Sequence, residues 1–256
     1  MKIAIIGAGN MGGAIARGMA QGTLVATADI TVSNPSQGKL DALKNEFPYI
    51  QVTHSNHEAA QKADCVIVCV KPWLMQEVIE SLDLHEGQTL VSVAAGVSFD
   101  KLEEFAGVKL TMFRVIPNTA ISQLQSMTLI ASRNASSEQE QQMLDIFNEM
   151  GLAMLVPEQK LAATTALTSC GIAYVLKYIQ AAMQAGIEMG VYPKDAQKMI
   201  AQSVKGAAEL ILKNDTHPSV EIDKVCTPGG ITIKGINELE HAGFTSAVIR
   251  AMKASK

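Results

Sequence analysis

The sequence has few cysteines and few aromatic residues, and its basic residues do not outnumber its acidic ones. Only two of the four cysteines, Cys65 and Cys69, lie close together, while Cys170 and Cys226 are isolated. A single closely spaced pair argues against a disulfide framework and is typical of reduced thiols in a cytoplasmic protein. The five histidines also lack metal-ligand spacing, so we expect no metal site.

Long uninterrupted hydrophobic runs are absent as well. The apolar stretches are too short, or too often broken by polar residues and glycine, to cross a bilayer. The N-terminus enters an apolar strand directly after Met1 and Lys2, so we expect no signal peptide. A net charge of −4 argues against a nucleic-acid partner. The remaining class is a cytoplasmic globular protein of 256 residues, long enough for two domains.

A strand, a glycine-rich turn and a helix open the chain. The apolar run Ile3–Ile6 fits a strand buried on both faces, and the next six residues match G-x-G-x-x-G. In this pattern the glycines permit the tight turn, the approach of backbone to a pyrophosphate and the packing of helix on strand. The pattern predicts cofactor contacts at Gly7, Ala8, Gly9, Asn10, Met11 and Gly12.

The end of the second strand indicates which dinucleotide is bound. An acidic residue there would bind the ribose hydroxyls of NAD and repel a 2′-phosphate. This chain has Ser33, Asn34, Pro35 and Ser36 instead, followed by Lys39 one turn later. Hydroxyls, an amide and a nearby cation favour NADP, with NAD possible. The alternative is that these residues form only a helix cap and a turn.

Further strands alternate with helices up to about residue 155. One strand, Cys65–Val70, ends at Lys71 and Pro72, at the carboxyl edge where open α/β sheets bind ligands. A later strand is followed by small residues that leave room for a flat ring, among them Ala95. Trp73 is expected to pack beside this edge, and Asn118, after Pro117, is expected to shape a turn. Ser136 or Ser137 predicts the start of a helix that stops near Gly151. Residues 1–156 are therefore predicted to form a Rossmann-type, doubly wound α/β domain.

The composition changes after this point, because strand patterns vanish. Residues 161–190 have helical length and carry only two charges, Lys177 and Glu188. A helix this apolar around most of its circumference needs cover on several sides. We therefore expect residues 157–256 to be an all-α domain that packs against a second subunit.

The C-terminal segment CTPGGITIKG, residues 226–235, resembles a signature of the pyrroline-5-carboxylate reductases. The N-terminal IGAGNMG, VKP, AAGV and R-x-I-P-N segments occur in that family in the same order and spacing. The resemblance spans nearly the whole chain. It implies a Rossmann domain, a helical dimerisation domain, and reduction of 1-pyrroline-5-carboxylate to L-proline by NADPH or NADH. It also implies a homodimer or a larger homo-oligomer.

The resemblance also assigns residues. It places cofactor contacts on Ala8 to Met11 and on a second group of residues: Ser33, Asn34, Asn56, Val70, Lys71 and Ala95. It places substrate contacts on Thr227, Ile231 and Thr232. The chain departs from the usual family sequence at Pro35, where many bacterial members have an arginine, and at Cys170 and Ile172.

The Thr-Pro-Gly-Gly loop then has a chemical interpretation. Amides at the start of a helix form an anion site, and Gly229, Gly230 and Ile231 would hold the substrate carboxylate. The Thr232 hydroxyl both donates and accepts, so it can hold the ring nitrogen as the catalytic group. The alternative for Thr232 is a simple helix cap. Two rival functions remain at this point: a β-hydroxyacid-type dehydrogenase and a non-enzymatic nucleotide sensor.

Overall fold

The computed structural model describes residues 1–256 and divides into two compact units, Met1–Ser169 and Cys170–Lys256. The first unit contains every strand, and the second is entirely helical. The predicted fold class, a Rossmann-type sheet followed by an all-α domain, is confirmed. The domain boundary at residue 156 stays a prediction.

The first unit is built on one eight-stranded sheet. Its strands are β1 (Ile3–Ile6), β2 (Ile30–Ser33), β3 (Gln51–Thr53), β4 (Cys65–Val68), β5 (Thr89–Ser92), β6 (Thr111–Ile116), β7 (Ser126–Arg133) and β8 (Gly151–Leu155). Their order is β3-β2-β1-β4-β5-β6-β7-β8, and only the β6–β7 pair is antiparallel. The order reverses between β1 and β4, so a ligand crevice opens at the carboxyl ends of these two strands.

The helices of the first unit cover both faces of the sheet. They are α1 (Asn10–Gln21), α2 (Gln37–Glu46), α3 (Asn56–Gln61), α4 (Met75–Glu80), α5 (Phe99–Ala106), α6 (Ser137–Asn148) and α7 (Leu161–Thr165). Two separate hydrophobic cores result, one containing Phe113 and Phe147 and the other containing Phe99 and Met112. Because Phe113 and Met112 are neighbours on β6, the two cores lie on opposite faces of the sheet.

Local sequence accounts for the ends of α6. The Ser136 side chain accepts from the Gln139 backbone N–H, and the Gln139 side-chain oxygen accepts from the Ser136 backbone N–H, so the predicted N-cap is confirmed. The helix ends at Asn148, before the predicted stop at Gly151. Gly151 instead begins β8 with φ +139°, and a Cβ there would lie 2.2 Å from the Ser126 carbonyl oxygen. That position therefore requires glycine.

The structure differs from the sequence-based expectations in three further segments. The strand predicted over Cys65–Val70 ends at Val68, so Cys69 and Val70 lie beyond the sheet edge. The antiparallel strand β7 was not predicted, because its partners are set by tertiary pairing. Trp73, expected to pack, is 76% exposed.

An ion-pair network joins β6, β7 and the segment that leaves the sheet. Arg114 lies in the interior, 8% exposed, and its Nη1 is 2.8 Å from the Glu158 carboxylate. The same carboxylate accepts from the Phe99 backbone N–H at 2.8 Å and lies 3.6 Å from the Arg133 guanidinium. Glu158 is thus the counter-ion for a buried cation.

The second unit consists of helices with little interior of their own. They are α8 (Gly171–Glu188), α9 (Pro193–Asn214), α10 (Pro218–Val225), α11 (Ile231–His241) and α12 (Phe244–Ala254). The long helix expected over residues 161–190 is interrupted by a π-helical turn, Ala166–Cys170, between α7 and α8. Only Gly171, Gly186 and Ala196 are buried in this unit. A cover for its apolar side chains must therefore come from outside these helices.

We expect Glu158→Ala to destabilise the protein by about 3 kcal/mol, because the Arg114 charge would be left buried and unpaired. The measurement is the urea midpoint at one fixed subunit concentration. Glu58→Ala serves as the control, because its ion pair with Lys62 is exposed and long, at 3.7 Å. Equal losses of stability in the two variants would contradict the assigned role of Glu158.

Candidate active site

A cleft of about 940 Å³ opens at the carboxyl edge of the sheet in the first unit. Nine of the residues predicted to contact the cofactor line it: Gly7, Gly9, Asn10, Met11, Asn34, Val70, Lys71, Pro72 and Ala95. Pro35, Lys39 and the 3₁₀ turn Thr119–Gln123 line it as well. The cleft therefore brings together segments that follow five different strands, β1, β2, β4, β5 and β6.

The turn between β1 and α1 is shaped by two close contacts. Gly7 has φ +101°, and a Cβ there would lie 2.9 Å from the Cys69 carbonyl oxygen. A Cβ on Gly12 would lie 1.9 Å from the Gly7 carbonyl oxygen. Both glycines are thus needed for backbone to approach backbone. The result is that α1 begins directly at the sheet edge.

Gly9 differs from the other two, because a Cβ built on it would meet nothing within 4 Å. Gly9 is the N-cap of α1, no side chain caps this end, and the first turn has no acidic residue. The first-turn amides are therefore free to face an anion, and the helix dipole favours one. The space beside Gly9 and these amides fit the pyrophosphate of a dinucleotide.

Four predicted cofactor residues other than Gly12 do not line the cleft, and three of them make hydrogen bonds within the protein: Ala8, Ser33 and Asn56, with Ser36 as the fourth. The Ala8 N–H donates to the Asn34 side-chain oxygen at 3.0 Å, and the buried Ser33 hydroxyl donates to Asn56 at 2.6 Å. Ser36 is the N-cap of α2 and its side chain makes no capping bond. The hydroxyl of Ser33 and the amide of Asn34 thus already have partners within the protein.

The 3₁₀ turn Thr119–Gln123 was not predicted as part of the cleft. Asn118 begins it, and the Asn118 side-chain oxygen accepts from the Ala120 N–H at 3.0 Å. This agrees with the interpretation of Asn118 as a turn-forming residue. The asparagine after Pro117 was the available signal, because such side chains often cap the turn that follows them.

The second predicted site is the loop between α10 and α11 in the helical unit. The Gly230 N–H donates to the Thr227 carbonyl oxygen at 3.0 Å, and Gly229 has φ +72°. With Pro228 in the second position, these features match a type II turn. The turn delivers Gly230 as the uncapped N-cap of α11, which begins at Ile231.

This geometry corrects the predicted role of one amide. The Gly230 N–H is used inside the turn, so it is not free to bind a carboxylate. The free amides are those of the first turn of α11, from Ile231 onward. Thr232 is the second residue of that helix rather than its cap, and its hydroxyl has no hydrogen-bond partner in the chain.

No group of three or more His, Cys, Asp or Glu side chains is arranged to hold a metal ion. None of the helices is long and apolar enough to span a membrane. Burial raises the pKa of the Cys65 thiol to about 12, so this group stays protonated at neutral pH.

Family models match both parts of the chain. Residues 158–256 match the model described as pyrroline-5-carboxylate reductase dimerisation, and residues 2–96 match the model described as NADP oxidoreductase, coenzyme F420-dependent. Together with the sheet order and the glycine-rich cleft, these matches define a Rossmann-type, nucleotide-dependent oxidoreductase.

Individual relatives narrow this class of oxidoreductase to one family. Pyrroline-5-carboxylate reductase of Escherichia coli (strain K12) is 35% identical over 98% of this chain and 94% of that protein. Pyrroline-5-carboxylate reductase 1 of Dictyostelium discoideum is 36% identical over 99% of this chain, which spans 48% of that longer protein. The crystal structure of the Plasmodium falciparum enzyme with NADP bound has a TM-score of 0.90 and 28% identity, covering 100% and 95% of the two chains. The chain belongs to the pyrroline-5-carboxylate reductase family.

We expect Gly9→Ala to keep the fold but to weaken NADP⁺ binding at least tenfold, because the methyl group occupies the open side of the turn. Gly12→Ala should instead destabilise the apoprotein, because its Cβ overlaps the Gly7 carbonyl. Thermal unfolding and calorimetric titration with NADP⁺ separate the two effects. Normal NADP⁺ affinity in a folded Gly9→Ala protein would show that the pyrophosphate lies elsewhere.

Proposed function

We propose that the protein reduces the C=N bond of 1-pyrroline-5-carboxylate with NADPH, or with NADH, to give L-proline. The observation that carries the proposal is the pairing of a dinucleotide cleft with an uncapped Thr-Pro-Gly-Gly-x-Thr helix start in one chain. Membership of the reductase family supplies the substrate. Four free cysteines support a reducing, cytoplasmic location.

The substrate is a cyclic imine that carries one carboxylate. In the proposal, the first-turn amides of α11 bind this carboxylate, and the helix dipole adds to their attraction. Gly229 and Gly230 form the turn that leaves the helix start uncovered. A Cβ on Gly230 would lie 2.8 Å from the Thr227 hydroxyl, so a larger residue there would disturb the turn. Thr227, Gly229, Gly230, Ile231 and Thr232 thus make up the proposed substrate loop.

Thr232 is the proposed catalytic residue. Its hydroxyl is unpaired and half-buried, one residue after the first amide of α11. It can hydrogen-bond the ring nitrogen while the carboxylate is held by the amides. A protonated imine is already electrophilic, so no strong general acid is needed.

The first unit supplies the other half of the reaction. A bound nicotinamide provides the hydride. The residues Gly7 to Gly12, with Lys71, Pro72 and Ala95, are proposed to hold that cofactor at the sheet edge. Holding two reactants in place in this way can lower a barrier by roughly 7–11 kcal/mol.

The helical unit is proposed to assemble the protein as a homodimer or a larger homo-oligomer. Of its 87 residues, three are buried, and α8 alone exposes Val175, Leu176, Tyr178 and Ile187. Apolar surface of this extent on one helix is typical of an interface. A second copy of the same helices would be the matching partner.

We expect Thr232→Ala to lower kcat/KM tenfold or more, on the order of 1.4 kcal/mol, while the Kd for NADP⁺ stays within twofold. The assay follows nicotinamide absorbance with pyrroline-5-carboxylate and each reduced cofactor. Thr232→Ser retains the hydroxyl and is the matched control, with most of the activity kept. Full turnover by the alanine variant would refute the role of Thr232. Absence of activity in the wild-type protein that still binds NADPH would refute the substrate.

We expect Leu176→Asp to dissociate the oligomer, because it places a charge on an exposed apolar face of α8. Sedimentation at micromolar concentration measures the mass. Leu24→Asp is the matched control, since Leu24 is 56% exposed against 58% for Leu176 and lies in the other unit. A wild-type protein that sediments only as a monomer would overturn the proposal.

A further inference from the structure

The end of β2 has fewer free groups for a ligand than its sequence suggests. The Ser33 hydroxyl is fully buried and bonded to Asn56, at 2.6 Å. The Asn34 side chain accepts from the Ala8 N–H at 3.0 Å and donates to the Ser36 carbonyl oxygen at 3.3 Å. Both side chains therefore fasten the end of β2 to the glycine-rich turn and to the start of α2. The Ser33 hydroxyl is therefore withdrawn from a ligand, and the Asn34 amide keeps only one unengaged N–H.

Two side chains near this end of the cleft, Lys39 and Ser36, make no hydrogen bond or ion pair within the chain, and Lys39 lines the cleft itself. Lys39, in the first turn of α2, is exposed, lines the cleft, and has no ion-pair partner. Ser36 caps α2 through its backbone position alone, so its hydroxyl is free. Arg17, which lies beside Lys39 in the adjoining groove, is already neutralised by Glu46 at 2.6 Å.

The charged side chains that line the cleft and the adjoining groove are all basic. No aspartate or glutamate lines the cleft or the adjoining groove. The side chain of Asp41, also on α2, is held by Gln37 at 2.7 Å. A dianionic group here would meet the free Lys39 ammonium, with the unpaired Ser36 hydroxyl at the N-cap of the same helix, while a plain ribose would leave the ammonium unused.

We propose that Lys39, assisted by Ser36, is the specificity-determining residue that binds the 2′-phosphate of NADPH and so favours NADPH over NADH. This inference rests on the proposed cofactor use, but it requires neither the proposed substrate nor the role of Thr232. The discriminating contact comes from the first turn of α2 because the polar side chains at the end of β2 are committed to the fold.

The test is calorimetric binding of NADP⁺ and NAD⁺ to the full-length protein, which reads the cofactor site without the reaction. Lys39→Gln should raise the Kd for NADP⁺ about tenfold, which corresponds to about 1.4 kcal/mol, and change the Kd for NAD⁺ less than twofold. Lys39→Arg should restore most of the NADP⁺ affinity. Ser36→Ala should weaken NADP⁺ binding by a smaller factor.

Two further measurements test the same contact: the salt dependence of NADP⁺ binding and a control variant at a distant lysine. Raising the salt concentration should weaken NADP⁺ binding to the wild type more than to Lys39→Gln, because one exposed charge pair is lost. Lys101→Gln removes an exposed lysine on α5 and should change neither Kd. An unchanged Kd for NADP⁺ in Lys39→Gln, or an equal rise for both nucleotides, would overturn the inference. Failure of the proposed reaction with normal NADP⁺ selectivity would leave it standing.

Discussion

The close approach of the Gly12 backbone to the Gly7 carbonyl is the contact on which the first unit depends. It leaves no room for a side chain, since a Cβ on Gly12 would lie 1.9 Å from that oxygen. Helix α1 therefore starts at the sheet edge with uncapped amides. The ends of β2 and β4 close around the same point, through the Gly7 N–H to the Ser33 carbonyl at 2.8 Å and the Cys69 N–H to the Ile6 carbonyl at 2.8 Å. An anion site thus arises from backbone packing before any charged side chain is added.

The second unit, in contrast to the first, has very few buried residues of its own. Its helices are long and regular, yet they bury almost nothing among themselves. Tyr174 illustrates the sparse contacts available, since its hydroxyl donates to the Ala251 carbonyl at 3.2 Å and joins α8 to α12. Helices of this kind gain most of their stability from packing partners rather than from intrinsic propensity. The dimerisation model that matches residues 158–256 agrees with this requirement.

Much of the fold could be predicted from local pattern, and the failures have a common cause. The buried strand Ile3–Ile6, the glycine-rich turn and the Ser136 cap depend on residues within one turn of each other. Strand β7 depends on pairing with β6, where Phe113 faces Ser132, and its own sequence does not indicate the antiparallel direction. Trp73 shows the same limit, because hydrophobicity alone predicted burial for a side chain that is exposed. In the substrate loop, the Gly230 amide was expected to bind the substrate carboxylate. Its hydrogen bond to the Thr227 carbonyl oxygen depends on the turn geometry, which residue types alone do not show.

The sequence by itself determined the class of cofactor, the order of the two units and the family, because glycine spacing and the Thr-Pro-Gly-Gly-x-Thr segment are local features with few alternative uses. Only the tertiary structure decided which polar groups remain available. Ser33, Asn34 and Lys39 are all plausible phosphate ligands as residue types, but the first two are engaged across 23 and 26 residues of sequence, by Asn56 and Ala8. Hydrogen bonds between distant segments form only when the chain is folded, and they leave the Lys39 ammonium free at the cleft.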